Sequence, residues 1–244
     1  MPSTPATELG QNRTGIQMSP MDTKKMLQEA RGAQHTPGDD SGIAEMRSAY
    51  IKASGPVGSV PPPAKEKGAV TSGDEALTGK RAGVLIDRLG ERLAFERSGI
   101  RLYEAMITKC RAASNGNAQY LEQLEHFCSE EAEHFKLVHE CIEKLGGDPT
   151  AQTPGADVTG VESAGLMQVV TDPMTSVPQS MHAILLAELA DNDAWDELVA
   201  LAQAMGQDEM ATQFEQARDT EREHLATIRK WHQQATLDEA KMEV

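Results

Sequence analysis

Two stretches of the chain, EAEHFKLV at residues 131–138 and EREHLATI at residues 221–228, share one pattern. In each, a histidine follows a glutamate by three residues, and apolar residues continue at helical spacing. Residues three or four apart lie on the same face of a helix, so each Glu-x-x-His pair can bind one centre. The repeat indicates two helices that carry equivalent halves of a single site.

Helical periodicity on both sides of these stretches predicts four long helices, at about residues 82–113, 118–145, 177–206 and 208–240. Residues 114–117 are predicted to form a turn, and Gly146-Gly147-Asp148-Pro149 is predicted to end the second helix. A long link follows, with a short helix expected near Val161–Val170. The third helix is expected to start after Ser176 with Pro178 in its first turn, and Asp208 is expected to cap the fourth. The short, long, short order of links predicts antiparallel hairpins with one crossover. We expect the third helix to begin at the end of the bundle where the first begins.

Each predicted helix has a mostly apolar stripe with one glutamate near its middle. A buried carboxylate without a partner costs several kcal/mol, and four of them facing one another would also repel. We expect no inward Lys or Arg at the level of these side chains. Bound divalent cations would neutralise the carboxylates and use their oxygens as ligands. The stripes therefore predict a two-metal site with six ligands: Glu96, Glu131, His134, Glu188, Glu221 and His224.

The pattern also occurs twice along the chain. The first glutamate precedes its Glu-x-x-His motif by 35 residues in one half and by 33 residues in the other. Two helical hairpins related by a pseudo-twofold axis would bring these half-sites together. The halves differ three residues after the first glutamate, where one has Gly99 and the other has Asp191.

Composition limits the classes of function. The net charge is −15, and residues 80–244 hold 29 acidic and only 15 basic residues, which argues against nucleic acid or an anionic membrane as a partner. The chain has no apolar run of membrane length and no secretory signal pattern. Three cysteines without a Cys-x-x-Cys pair predict reduced, buried thiols in a cytoplasmic protein: Cys110, Cys128 and Cys141.

The N-terminal third differs from the rest. Its first 79 residues hold 8 of the 12 prolines and 10 of the 20 glycines, including the triple proline at 61–63. Such a segment buries too little apolar surface to offset its ordering entropy. We therefore expect an extended or flexible arm at residues 1–80, before a bundle at 81–244. Single amphipathic helices are expected at Met21–Arg31 and Ile43–Lys52, and the arm either stays flexible or orders against the bundle or another subunit.

The six residues of the predicted site resemble the ferritin-like superfamily, which includes ferritins, bacterioferritins and rubrerythrins. That family has a glutamate on helices 1 and 3, Glu-x-x-His on helices 2 and 4, and a long link between helices 2 and 3. The resemblance implies an all-α bundle that binds two Fe ions, with Mn as an alternative. It implies that Glu131 and Glu221 bridge the metals, that Glu96 and Glu188 are terminal ligands, and that one histidine binds each metal.

Two further residues resemble the rubrerythrin pattern and are candidate catalytic residues. Tyr103 follows Glu96 by seven residues, and it is either a redox participant or a core residue bonded to a ligand carboxylate. Asp191 lies where rubrerythrins have an extra carboxylate that exchanges with a histidine, or it is a solvated or capping acid. The paired Cys-x-x-Cys motifs of rubrerythrins are missing, so electrons would come from a partner protein or from Fe(II). We expect four histidines to lie outside the centre (His126, His139, His182 and His232) and Cys128 to be a packing residue.

The resemblance implies an oxidoreductase of ferroxidase or peroxidase type that oxidises Fe(II) with O2 or H2O2, assembled as a homo-oligomer of two or more chains. Two other enzymes are built on the same bundle, a di-iron hydroxylase and a di-manganese catalase. A third alternative is a non-enzymatic metal-binding stress protein, in which the arm would be the functional part.

Overall fold

The computed structural model describes residues 20–32, 41–55, 82–113 and 118–241. Within these ranges the regular elements are all α-helices, and no strand occurs there. The predicted all-α class is therefore confirmed. The chain divides into two units, residues 1–55 with 242–244 and residues 56–241, and each is described separately.

The N-terminal unit contains two helices, α1 at Pro20–Gly32 and α2 at Ser41–Ala53. They include the two segments that were predicted to be helical. Neither helix has a buried residue, so the apolar side chains of both are open to solvent. The triple proline at 61–63 lies outside the described residues.

The described residues of the second unit form five helices: α3 at Ala82–Ala112, α4 at Ala118–Lys144, α5 at Pro154–Thr171, α6 at Val177–Ala204 and α7 at Asp208–Lys241. Helix α3 packs most extensively on α4, and α6 on α7, while α3 also packs on α6. These four form the predicted bundle, with bounds within two residues of those expected. The predicted turn at 114–117 lies outside the described residues.

The ends of the bundle helices have sequence-encoded caps. Ser176 Oγ accepts a hydrogen bond from the Gln179 N–H, and Gln179 Oε1 accepts one from the Ser176 N–H, which forms a capping box at the start of α6. Gly146 and Gly206 follow α4 and α6 with φ angles of 82° and 72°. This left-handed conformation is easy for glycine and lets the chain turn directly after the last helical residue.

The long link holds α5, which begins seven residues before the short helix that was predicted. Thr153 caps α5 and also donates to the backbone oxygen of Asp87 on α3, at 3.3 Å. The Gly155 N–H donates to Asp87 Oδ1, at 2.8 Å. Glycines at 155 and 160 lower the helix propensity of this segment. The first turns of α5 are therefore not predicted from the sequence. Contacts with α3 and α6 stabilise these turns in the folded chain.

The direction of α5 corrects the predicted topology. Its first residues bind Asp87 near the start of α3, whereas Lys109 Nζ, near the end of α3, donates to the backbone oxygens of Asp172 and Thr175 just beyond α5. An 18-residue helix spans about 27 Å, so α5 carries the chain along the length of the bundle. Helix α6 therefore begins where α3 ends, and the expectation that it begins where α3 begins is wrong.

The core of the bundle has two apolar clusters separated by a polar layer. One cluster is built around Trp195 and Phe214, and the other around Met106 and Phe127. Each of the four bundle helices contributes residues to both clusters and passes through the polar layer between them. Among the described helices, none has the length and apolar character needed to cross a membrane.

Candidate metal centre

The polar layer is made by side chains that interrupt the apolar stripe of each bundle helix. Each helix contributes one glutamate that is at most 2% exposed, and α4 and α7 each add a histidine one turn later. The structure brings together all six residues that were predicted from the sequence: Glu96, Glu131, His134, Glu188, Glu221 and His224.

The ligand-type atoms of these side chains form two groups, and within each group all the atoms lie within 4.8 Å of one another. The larger group contains Glu131, Glu188, Glu221 and His224, and the smaller contains Glu96, His134 and Glu221. Glu221 belongs to both, so its two carboxylate oxygens lie between the groups. The shared carboxylate makes this one continuous cluster of two overlapping ligand groups.

Several ligand-type atoms of the cluster lie close together without forming hydrogen bonds. His134 Nδ1 lies 2.6 Å from Glu221 Oε1, and His224 Nδ1 lies 3.0 Å from Glu221 Oε2. Within the described part of the chain, none of these four atoms makes a hydrogen bond of acceptable geometry. Buried polar atoms are ordinarily hydrogen-bonded, so a convergent set without partners fits a bound cation.

The orientation of His224 is fixed from its other side. Its Nε2 donates to Glu130 Oε2 at 2.9 Å, which directs Nδ1 towards the cluster. A carboxylate bound to the far nitrogen of an imidazole is a common way to orient a metal-binding histidine. The contact between Glu130 and His224 was not predicted from the sequence. Glu130 directly precedes the inward Glu131, so it was expected to lie on a different helix face.

A buried arginine also lies in the polar layer, so the expectation of no inward Lys or Arg is wrong. Arg92 is 2% exposed, with Nε 2.9 Å from Glu96 Oε1 and Nη1 2.5 Å from Asp191 Oδ1. Its guanidinium also stacks over the ring of Phe95 at 4.1 Å. The sequence spacing could have predicted this arginine, since Arg92 lies four residues before Glu96 and therefore on the same face of α3.

The charges of the layer do not balance within the protein. With all carboxylates ionised and both histidines neutral, as metal binding requires, five buried carboxylates against one buried guanidinium leave four negative charges, which two divalent cations would neutralise. The carboxylates are Glu96, Glu131, Glu188, Asp191 and Glu221.

Of the two candidate catalytic residues, Tyr103 contacts the cluster directly, and Asp191 contacts Arg92, which is paired with Glu96. Tyr103 is buried and its O–H donates to Glu188 Oε1 at 2.5 Å, as expected for a core residue bonded to a ligand carboxylate. Asp191 is 1% exposed and paired with Arg92, so the alternative of a solvated or capping acid is wrong. Gly99, at the equivalent position in the other half, faces Glu131 instead: a Cβ there would lie 2.1 Å from Glu131 Oε2.

Burial and charge shift the titration of these groups. Burial raises the pKa of Glu96 well above its usual range, as does the charge of Asp191, and these effects exceed the opposite effect of Arg92. Burial lowers the pKa of His134 to about 4. Burial also lowers the pKa of His224, but hydrogen bonds to neighbouring glutamates and their charges have a larger, opposite effect. The pKa of His224 is therefore raised to about 9. The two histidines therefore have different surroundings, although their positions in the repeat are equivalent.

Among the described residues, the four histidines expected outside the centre belong to neither ligand group, and His182 and His232 stack on each other with ring centroids 5.2 Å apart. Cys128 Sγ donates to the backbone oxygen of Ile100 at 3.7 Å and packs beside the cluster without joining it. All three cysteines are free thiols, and Cys110 and Cys141 are buried.

Comparison with known proteins gives one match. A family model described as the ferritin-like domain matches residues 86–237, which is well over half of the chain. The matched segment contains the six residues of the cluster and almost all of the four bundle helices. No curated protein and no solved structure matches the chain significantly.

Proposed function

The chain belongs to the ferritin-like family, and we propose that its buried cluster binds two iron ions and oxidises Fe(II) with O2 or H2O2. The convergence of two ligand groups on Glu221 carries this proposal, because it provides two adjacent centres that share a carboxylate. The four uncompensated negative charges support the same stoichiometry. Carboxylate and imidazole donors suit Fe(II) and also Mn(II), so the metal must be identified by direct analysis.

Each side chain has a distinct role in this proposal. Glu221 would hold both metals, and Glu131 would do the same by the repeat that relates them, while Glu96 and Glu188 would each hold one metal. His134 and His224 would each hold one metal through Nδ1. His224 Nδ1 lies 3.7 Å from Glu131 Oε1 and 4.0 Å from Glu188 Oε2, which places both carboxylates in the larger ligand group, and the shared role of Glu131 rests on the repeat.

Bound iron supplies the electrons and the site for the oxidant, and the protein supplies position and environment. Arg92 holds Glu96 in place and lowers the cost of keeping it ionised in the core. The Tyr103 O–H orients Glu188, and Glu130 orients His224. The apolar clusters on both sides exclude bulk water, so these polar contacts act in a low dielectric.

Anaerobic titration with Fe(II), followed by metal analysis of the desalted protein, tests the proposal. We expect two equivalents of iron per chain, and oxidation to Fe(III) when O2 or H2O2 is added in separate reactions. Binding of one equivalent or less would contradict the two-metal centre. Retention of Mn rather than Fe from a mixture of both, with H2O2 breakdown in the absence of a reductant, would indicate a catalase instead.

A pair of substitutions in one motif separates the cluster from the helix surface. Glu131→Ala is expected to abolish binding of at least one iron, because it removes a proposed bridging carboxylate. Glu133→Ala is the matched control, since Glu133 lies two residues further along the same helix and is exposed. Equal iron binding by the two variants would refute the bridging role of Glu131.

A further inference from the structure

A series of aromatic rings leads from His224 to the surface of the bundle. The Phe127 ring lies 4.0 Å from the His224 ring, measured between centroids, and 6.4 Å from that of Trp231. Trp231 in turn lies 4.8 Å from Tyr120. His224 and Phe127 are buried, whereas Trp231 and Tyr120 are half-buried, so the series passes from the metal cluster to water within three contacts.

The other half of the cluster has a different arrangement. His134 contacts the ring of Trp195, with centroids 5.5 Å apart, and Trp195 contacts Phe214 at 5.7 Å. Both rings are 0% exposed, so this series ends inside the apolar core. The pseudo-twofold repeat of the ligands is thus not matched by a repeat of the rings around them.

The chemistry of the proposed function explains a use for such a series. Reduction of O2 to two molecules of water takes four electrons and four protons, and two Fe(II) ions supply two of the electrons as they become Fe(III). When O2 is the oxidant and is reduced fully to water, the other two electrons reach the buried cluster from outside. Electron transfer through protein falls steeply with distance, so closely spaced rings that can be oxidised shorten each step.

We propose that Phe127, Trp231 and Tyr120 form a path for single electrons between the metal pair and the protein surface. This inference rests on the proposed function. The Trp231 indole and the Tyr120 phenol are the groups that are oxidised: each gives one electron towards the cluster and loses its N–H or O–H proton to water. A one-electron donor at the surface then returns the electron, and the proton is taken back from water. Phe127 is not oxidised and bridges the gap between His224 and Trp231.

The position of Tyr103 makes it a poor substitute for Tyr120. Its ring is also close to His224, with centroids 6.2 Å apart, but it is 1% exposed. Its O–H donates to Glu188, so oxidation of Tyr103 would pass the phenol proton to a carboxylate that is proposed to bind metal. Trp231 and Tyr120 can exchange a proton with solvent, because both reach the surface.

Transfer between Trp231 and Tyr120 is testable on protein prepared without metal. Azide radicals generated by pulse radiolysis oxidise tryptophan selectively, and the chain has two tryptophans, of which Trp195 is wholly buried. We expect a tryptophanyl radical that decays as a tyrosyl radical appears, at a rate independent of protein concentration. Tyr120→Phe should abolish the tyrosyl signal, and Tyr50→Phe, on helix α2, should leave it unchanged. A tyrosyl signal that persists in Tyr120→Phe would overturn the path.

Transfer to the cluster is tested by the lifetime of the same radicals in protein loaded anaerobically with Fe(II) or with Zn(II), which has no redox chemistry. Fe(II) should shorten the lifetime by returning an electron and becoming Fe(III), and Phe127→Leu, checked for its fold by circular dichroism, should restore the longer one. Equal lifetimes in the two loaded proteins would overturn the path. Failure of iron to bind at all, seen in the titration, would instead refute the proposed function.

Discussion

Gly99 and Asp191 occupy equivalent positions in the two halves of the repeat, but they meet the cluster in different ways. Asp191 is paired with Arg92, whereas Gly99 leaves space for the Glu131 carboxylate. The absence of a side chain at Gly99 is therefore as much a part of the site as the presence of Asp191. Gly99 leaves space for Glu131, and Asp191 pairs with the arginine that also binds Glu96.

Gly99→Ala should impair metal binding while leaving the fold intact. The new Cβ would lie 2.1 Å from Glu131 Oε2, the end of a flexible side chain that can rotate away from the cluster. Alanine favours a helix over glycine by about 1 kcal/mol, so we expect little loss of unfolding free energy. Iron stoichiometry and thermal unfolding measure the two effects. Gly83→Ala on the same helix is the control, because a Cβ there meets nothing within 4 Å. Full iron binding by Gly99→Ala would show that this space is not needed.

Arg92→Met should destabilise the metal-free protein by about 3–5 kcal/mol, the usual cost of removing one partner from a buried ion pair. The loss would leave both Glu96 and Asp191 without their cation. Arg92→Lys should cost less, because it keeps the charge although it loses the planar fork and the stacking on Phe95. Urea unfolding in the presence of a chelator measures both. Equal stability of the Met and Lys variants would mean that packing, and not charge, explains the burial of Arg92.

At the scale of elements, α5 is held against α3 by hydrogen bonds at both of its ends. Thr153 and Asp87 hold its first turn, and Lys109 binds the backbone beyond its last turn. Gly90 allows this close approach, since a Cβ there would lie 2.4 Å from Thr153 Oγ1 and 3.1 Å from Thr153 Cβ. The crossover is thus packed against the helix that carries Glu96.

Gly90→Val should destabilise the bundle by about 1–3 kcal/mol relative to Gly83→Val, as expected for overpacking. The short Thr153 side chain cannot move away, because its own Cβ is part of the clash. Iron stoichiometry should be unchanged, since neither residue belongs to the cluster. Urea unfolding and an iron titration of the two variants test this pair of expectations. Loss of iron binding in Gly90→Val would show that the position of α5 is coupled to the metal centre.

The sequence predicted what local periodicity determines. The four bundle helices and the inward direction of their glutamates follow from spacings of three and four residues. Arg92 and Glu130 were missed because their long side chains reach groups on other elements, Asp191 and His224. The start of α5 depends on a contact with Asp87, and the position at which α6 begins depends on a contact with Lys109. Both residues are distant in sequence from the elements that they contact. Such tertiary contacts override local propensity, and one sequence does not reveal them.

At the scale of the whole molecule, the N-terminal unit and the metal cluster have separate structural requirements. No residue of α1 or α2 is buried, and the cluster is built wholly from α3, α4, α6 and α7. Removal of residues 1–55 should therefore leave the iron stoichiometry and the thermal unfolding of the remaining chain unchanged. Metal analysis and circular dichroism of the shortened protein test this. A shortened chain that lost iron would show that the N-terminal unit supports the centre.

The polar layer between two apolar clusters also bears on how ions reach a buried site. Each bundle helix is held by hydrophobic packing at both ends, whereas its middle carries buried polar atoms without hydrogen-bond partners among the described residues. We expect this middle section to open locally while the ends stay packed, so that amides near Glu96 and Glu221 exchange with deuterium faster in the chelated protein than in the loaded one. Amides at the two ends should show no such difference. On this expectation the bundle would need no permanent channel, because its unpaired polar layer would open the entrance and a bound metal would close it.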